Sequence, residues 1–85
     1  MKVNNAHKKI ALDTLPHVLT AQNISDFLMI SRRVVYELMQ IPPSKGGIRN
    51  FSIGASRRVI REDFIDWVEA KRIEHELLEG SVKHG

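Results

Sequence analysis

The sequence predicts a mainly α domain of three helices that carries one small β-hairpin. Three observations lead there. Two amphipathic stretches, "TAQNISDFL" and "SRRVVYELMQ", follow one another almost directly, each behind its own hydroxyl-bearing cap. Two short β-rich runs, "IRNFSI" and "SRRVI", flank a Gly-Ala pair. A longer apolar-periodic stretch opens on "REDF", with acids where a helix dipole favours them. With 85 residues the chain makes one small domain, near the lower end of what folds alone without staples.

Residues 1–17 read as a basic, partly flexible arm. Lys2, Lys8 and Lys9 are cationic, Ile10, Leu12, Leu15 and Val18 follow no clean period, and Pro16 interrupts any helix. The first helix starts behind Thr20, a good N-cap, with Leu19 and Ile24 in the positions of a hydrophobic staple. Ala21, Ile24, Phe27 and Leu28 form its inward stripe, Gln22, Asn23 and Asp26 face water, and small Ser25 sits at the stripe's edge, where a second helix can approach. The device repeats at once: Ser31 caps the next helix, and Ile30 and Val35 take the staple positions. Val35, Leu38 and Met39 share one face of that helix; Arg33, Tyr36, Glu37 and Gln40 share the other, with Arg32 beside Tyr36. Two short helices joined so tightly must cross steeply, as in a helix-turn-helix.

"IPPSKGG" ends the second helix and makes a loop. The two β-rich runs then pair as a hairpin about Gly54 and Ala55, Gly54 supplying a backbone that accepts positive φ. Either Val59 or Ile60 points inward. The last helix begins at Arg61 or Glu62, and Phe64, Trp67 and Val68 make its inward patch. Ala70, Ile73 and Leu77 form a second stripe well over a quarter-turn from the first, to be covered by Ile10, Leu12 and Leu15 of the arm or by a partner. Helix, turn, helix, hairpin, helix is the order of a winged helix-turn-helix. It occupies residues 18–70, and residues 71–85 are the end of the last helix and a flexible tail.

Composition narrows the function classes. There are no cysteines, so disulfide scaffolds and thiolate zinc sites are excluded. No apolar run approaches the ~18 residues of a membrane span, and the start of the chain lacks a signal peptide's apolar middle. The expectation is a soluble cytoplasmic protein without membrane partners. Net charge is +3, but it is segregated. Residues 31–61 hold Arg32, Arg33, Lys45, Arg49, Arg57, Arg58 and Arg61 against Glu37 alone. Residues 62–79 hold Glu62, Asp63, Asp66, Glu69, Glu74, Glu76 and Glu79 against Lys71 and Arg72. A basic region of this kind is the footprint of a nucleic-acid binder, the alternative being two solvated faces of opposite sign. Catalysis is not expected. His7, His17, His75 and His84 show no ligand spacing, and "KGGIRN" leads to a strand where a phosphate loop would lead to a helix. No metal or cofactor is implied.

The residues also resemble a family. "ISDFLMISRRVVYEL" is similar to the signature of the small MerR-like, excisionase-type DNA-binding domains: an apolar-small-acidic-apolar-apolar start, a turn, then Ser-Arg-Arg, a valine and a tyrosine. "FSIGASRRVIREDFIDWV" resembles their wing and closing helix, with Ile-Gly, a short turn, paired arginines and an Arg-Glu-Asp start leading to a tryptophan. The likeness covers about residues 18–70. Met29 stands where the family often has glycine; a left-handed methionine there costs about 1 kcal/mol or more. Val34 replaces a common threonine and Glu37 a frequent arginine. The resemblance implies a mobile-element role, as an excisionase or recombination directionality factor that bends DNA for an integrase and self-associates along it. A small transcriptional regulator of a mobile element shares the same pattern.

If the second helix enters a major groove, its first turn meets base edges and phosphates, and Arg32 and Arg33 project from the leading end. Arginine's fork can take guanine O6 and N7 together, and a phosphate near the Ser31 cap offsets the dipole penalty of two cations. Tyr36 can donate to a phosphate or, alternatively, half-bury itself in the core. Glu37 can accept from cytosine or orient Arg33. Arg57 and Arg58 follow the hairpin tip and alternate in direction, so one of them reaches a minor groove or flanking phosphates well; the alternative role for both is edge-strand protection. Lys45 on the loop and Arg49 on the first strand are weaker candidates. The reading from another class is a winged-helix module that docks a protein through the Ala70–Leu77 stripe without touching DNA.

Overall fold

The computed structural model describes residues 14–84, with side chains through Leu78. Strand β1 (Val18–Leu19) leads into helix α1 (Ala21–Leu28) and helix α2 (Arg32–Gln40). A 3-10 turn (Pro43–Lys45), strands β2 (Phe51–Ile53) and β3 (Ser56–Ile60), and helix α3 (Arg61–His84) follow. Three helices thus accompany a three-stranded antiparallel sheet in the order β1-β3-β2. No helix of the described residues is long and apolar enough to cross a membrane.

Both expected caps form. Thr20 accepts from the Asn23 amide at 3.0 Å, and the Asn23 side chain accepts from the Thr20 N–H at 2.9 Å, a reciprocal capping box. Asn23 therefore turns back to the helix start and does not simply face water as its position on the stripe suggested. Ser31 caps α2 by accepting from the Val34 amide at 3.2 Å. The staple pairs lie at the same ends: Leu19, Ile24 and Val35 are fully buried, and Ile30 packs against them.

The α1–α2 turn is organised by Ser25, which is nearly buried. Its carbonyl accepts from the N–H groups of Met29 and Ile30, and its hydroxyl donates to the Ile30 carbonyl at 2.6 Å. These bonds hold Met29 at φ 59° and ψ 45°, in the left-handed region, with its side chain 87% exposed. The steric cost anticipated for a methionine here is thus present, offset by three local hydrogen bonds.

The sheet departs from the two-stranded hairpin in the sequence reading. Val18 and Leu19 pair with Ile60 and Val59, so the two residues that follow the arm make a third strand. Two residues are too few to show an alternating pattern, so nothing in the sequence marked them. The other strand is shorter than "IRNFSI": Ile48 donates its N–H to the Leu38 carbonyl at 3.0 Å and is fully buried, so β2 begins only at Phe51. Arg49 consequently precedes the strand. Ile53 faces Ser56 across the two-residue turn, and Gly54 at φ 62° takes the positive-φ place of a type II′ hairpin.

Leu19, Ala21, Ile24, Val35, Met39, Ile48, Val59 and Phe64 form the core, and Val59, not Ile60, points inward. Phe64 meets Phe27 edge-on at 5.7 Å between centroids and stacks on Trp67 at 6.3 Å. The Trp67 indole donates to the Gly46 carbonyl at 3.0 Å, tying α3 to the loop after α2, with the Lys71 ammonium 5.8 Å from its ring. Gly47 is required in that loop, since a Cβ there would lie 1.7 Å from the Ile41 carbonyl oxygen. Arg61 fastens the entering chain: its amide donates to the His17 carbonyl and its guanidinium to the Leu15 carbonyl, at 2.8 and 2.9 Å.

Beyond Val68, α3 leaves the core. Leu15 packs on the core, and Ile10 and Leu12 lie outside the described residues. Ile73 and Leu77 are 53% and 68% exposed. The second stripe therefore has no cover among the described residues.

Candidate nucleic-acid interface

The geometry of α2 follows from its two faces. Val35 and Met39 are buried and Leu38 partly so, which turns Arg32, Arg33, Tyr36, Glu37 and Gln40 to solvent. Tyr36 is 44% exposed, so it covers about half of its surface against the fold and presents the rest to solvent. Arg32 and Arg33 are the first two residues of the helix, and its first turn holds no acid. The positive end of the dipole thus carries two guanidinium groups, each unfavourable by about 0.3–1 kcal/mol in the isolated protein. Arg33 Nε lies 3.5 Å from Glu37 Oε2, one turn along, with both side chains largely in water. Such an exposed pair adds little stability, but it directs the Arg33 side chain along the helix. Arg32 has no ion-pair partner among the described residues.

The hairpin supplies the second group of cations, and its register separates them. Arg58 faces Phe51, and Arg57 faces Ser52. Alternation puts Arg57 on the sheet face that carries buried Val59, and Arg58 on the outer face with Phe51, Ile53 and Ile60. Arg58 is half-buried and donates to the Arg57 carbonyl at 2.9 Å, lying back along its own strand. Arg57 is exposed and donates to Asn50 Oδ1 at 2.8 Å. Asn50 in turn donates to the carbonyls of Met39 and Ile48 at 2.8 and 2.7 Å. One side-chain amide therefore joins the C-terminal end of α2 to the cation on β3.

Asn50 is the residue that sequence reasoning missed. Its partner Met39 is 11 positions away, and no periodicity encodes a side-chain contact of that kind. The two weaker candidates fall elsewhere. Lys45 lines a groove of about 670 Å³ with Trp67, Ala70, Ile73 and Leu77, against α3. Arg49 lines a smaller one of about 280 Å³ with Asp63 and Asp66. Neither is brought to the α2 face, and Arg49 sits where α3's acids oppose an anionic ligand. Ser31, Arg32, Arg33, Tyr36 and Glu37 share one helix, and Arg57 is linked to that helix's far end; Arg58 lies on the other side of the sheet.

No cluster of three or more potential metal ligands occurs among the described residues. Compared with known proteins, the chain matches no family model, no curated protein and no solved structure.

Proposed function

We propose that this chain binds duplex DNA sequence-specifically as a winged helix-turn-helix, with α2 in a major groove and the β2–β3 hairpin as the wing beside it. The observation that carries the reading is the exposed pair Arg32–Arg33 at the acid-free start of α2, opposite its buried face. This placement disfavours the free protein and favours a polyanion, since a phosphate or guanine acceptor removes the repulsion with the dipole. Ser31 orders the helix start, Tyr36 and Glu37 extend the contacting face, and Arg57 adds a cation from the hairpin. Resemblance of residues 24–38 and 51–68 to MerR-like, excisionase-type domains supports a more specific role. In that role the protein is an excisionase that bends DNA on the nucleoid for an integrase, with copies side by side along the site. A small transcriptional regulator of a mobile element is the near alternative. Bending of a site beside an integrase attachment region favours the first, and a footprint confined to a promoter favours the second.

Fluorescence anisotropy on labelled duplexes over a salt series tests the common core of both readings. If Arg32, Arg33 and Arg57 each meet a phosphate, the log–log slope is about −3. Affinity that ignores salt, or no binding at low salt, removes the proposal. Exposed Ile73 and Leu77 favour one reading of another class, a module that docks a protein partner without DNA, and that outcome would point to it.

A further inference from the structure

We infer that Asn50 is a positioning residue for DNA binding: it clamps Arg57 to the end of α2, so that the hairpin cation and the helix meet DNA as one unit. The inference rests on the DNA-binding reading above and goes beyond it, because it concerns a residue with no charge and no expected contact of its own.

An arginine on a hairpin ordinarily samples many rotamers in water, and fixing it on binding costs side-chain entropy. Here the Arg57 guanidinium is already held by Asn50 Oδ1 at 2.8 Å. Asn50 is held from the other side, its amide donating to both the Met39 and Ile48 carbonyls at 2.8 and 2.7 Å. All the polar atoms of this side chain are thus engaged, and each bond fixes a different piece of the fold: the last turn of α2, the approach to β2, and β3. Met39 is itself a core residue, so the clamp is anchored on a rigid base. A single Arg57–Asn50 bond leaves the other guanidinium donors able to meet a phosphate. Ser52, opposite Arg57 across the ladder, is too short to replace the clamp. Removing Asn50 leaves Arg57 in place chemically but frees it from the helix.

The test measures DNA affinity over a salt series for wild type, Asn50→Ala, Arg57→Ala and the double variant, with urea unfolding of each. Arg57→Ala removes one phosphate contact and lowers the salt slope by about 0.9. Asn50→Ala removes no charge, yet it is expected to lower the slope by a similar amount and to weaken binding several-fold. The double variant should be no weaker than the worse single one. A purely structural role shifts the urea midpoint and leaves the salt slope alone; that result, or additive losses in affinity, overturns the inference while DNA binding itself stands. Should Asn50→Ala unfold under assay conditions, Asn50→Ser replaces it, since its hydroxyl is too short to bridge Met39 and Arg57, and the same criteria apply. A wild-type protein that binds no DNA fails the underlying reading instead, and the clamp's role in binding falls with it.

Discussion

Helices α2 and α3 begin in opposite ways. Helix α3 places Glu62 and Asp63 in its first turn, where the dipole stabilises them, and it buries Phe64 directly behind. Helix α2 places Arg32 and Arg33 in its own first turn, where the dipole opposes them, and leaves both in water. One start obeys the rule that stabilises a helix and the other breaks it. Local rules broken without a structural return mark the places where a protein meets something else. The contrast divides the molecule into an end that holds it together and an end that presents charge.

The division can be broken most forcefully on the structural side. Phe64→Ala removes a fully buried ring that touches both Phe27 and Trp67, and should lower unfolding free energy by about 3–5 kcal/mol, read by urea denaturation. On the other side, Arg32→Ala with Arg33→Ala should cost about 1–3 kcal/mol of base discrimination per arginine, measured as the affinity ratio between preferred and scrambled duplexes. The same double variant should leave the melting temperature unchanged or raised, because it relieves the dipole. Full retention of affinity and selectivity would remove α2 from the interface. Met29→Gly relaxes the left-handed turn at the cost of an exposed side chain, and should stabilise the fold by roughly 1 kcal/mol in the same denaturation assay. Smallest is the mirror experiment at α3: Glu62→Gln with Asp63→Asn should destabilise by about 0.3–1 kcal/mol per residue without weakening DNA binding. Opposite signs of the stability change at the two helix starts are the sharpest form of the comparison.

Local chemistry was legible in the sequence, and contacts across the chain were not. Thr20 and Ser31 were readable as caps because their bonds close within three residues, and Glu62 and Asp63 were readable because a dipole acts within one turn. The buried stripes of α1 and α2 followed from periodicity. Strand β1 escapes because two residues carry no period, and the expected first hairpin strand is too long because β-branched Ile48 favours a strand, yet Ile48 and Asn50 engage the end of α2. Within the candidate site, the exposure of Arg32, Arg33, Tyr36 and Glu37 was legible from the helical period. Asn50 was not, and the separation of Lys45 and Arg49 from the α2 face depends on how α3 packs across the loop.

The bond between the Trp67 indole and the Gly46 carbonyl has a practical consequence. Trp67 is the chain's single tryptophan, stacked on the central phenylalanine and hydrogen-bonded to the segment that follows α2. Its emission is therefore a built-in optical gauge. Global melting moves the indole into water, while a ligand that shifts the loop after α2 perturbs the same fluorophore without unfolding anything, so one unlabelled sample reports both events.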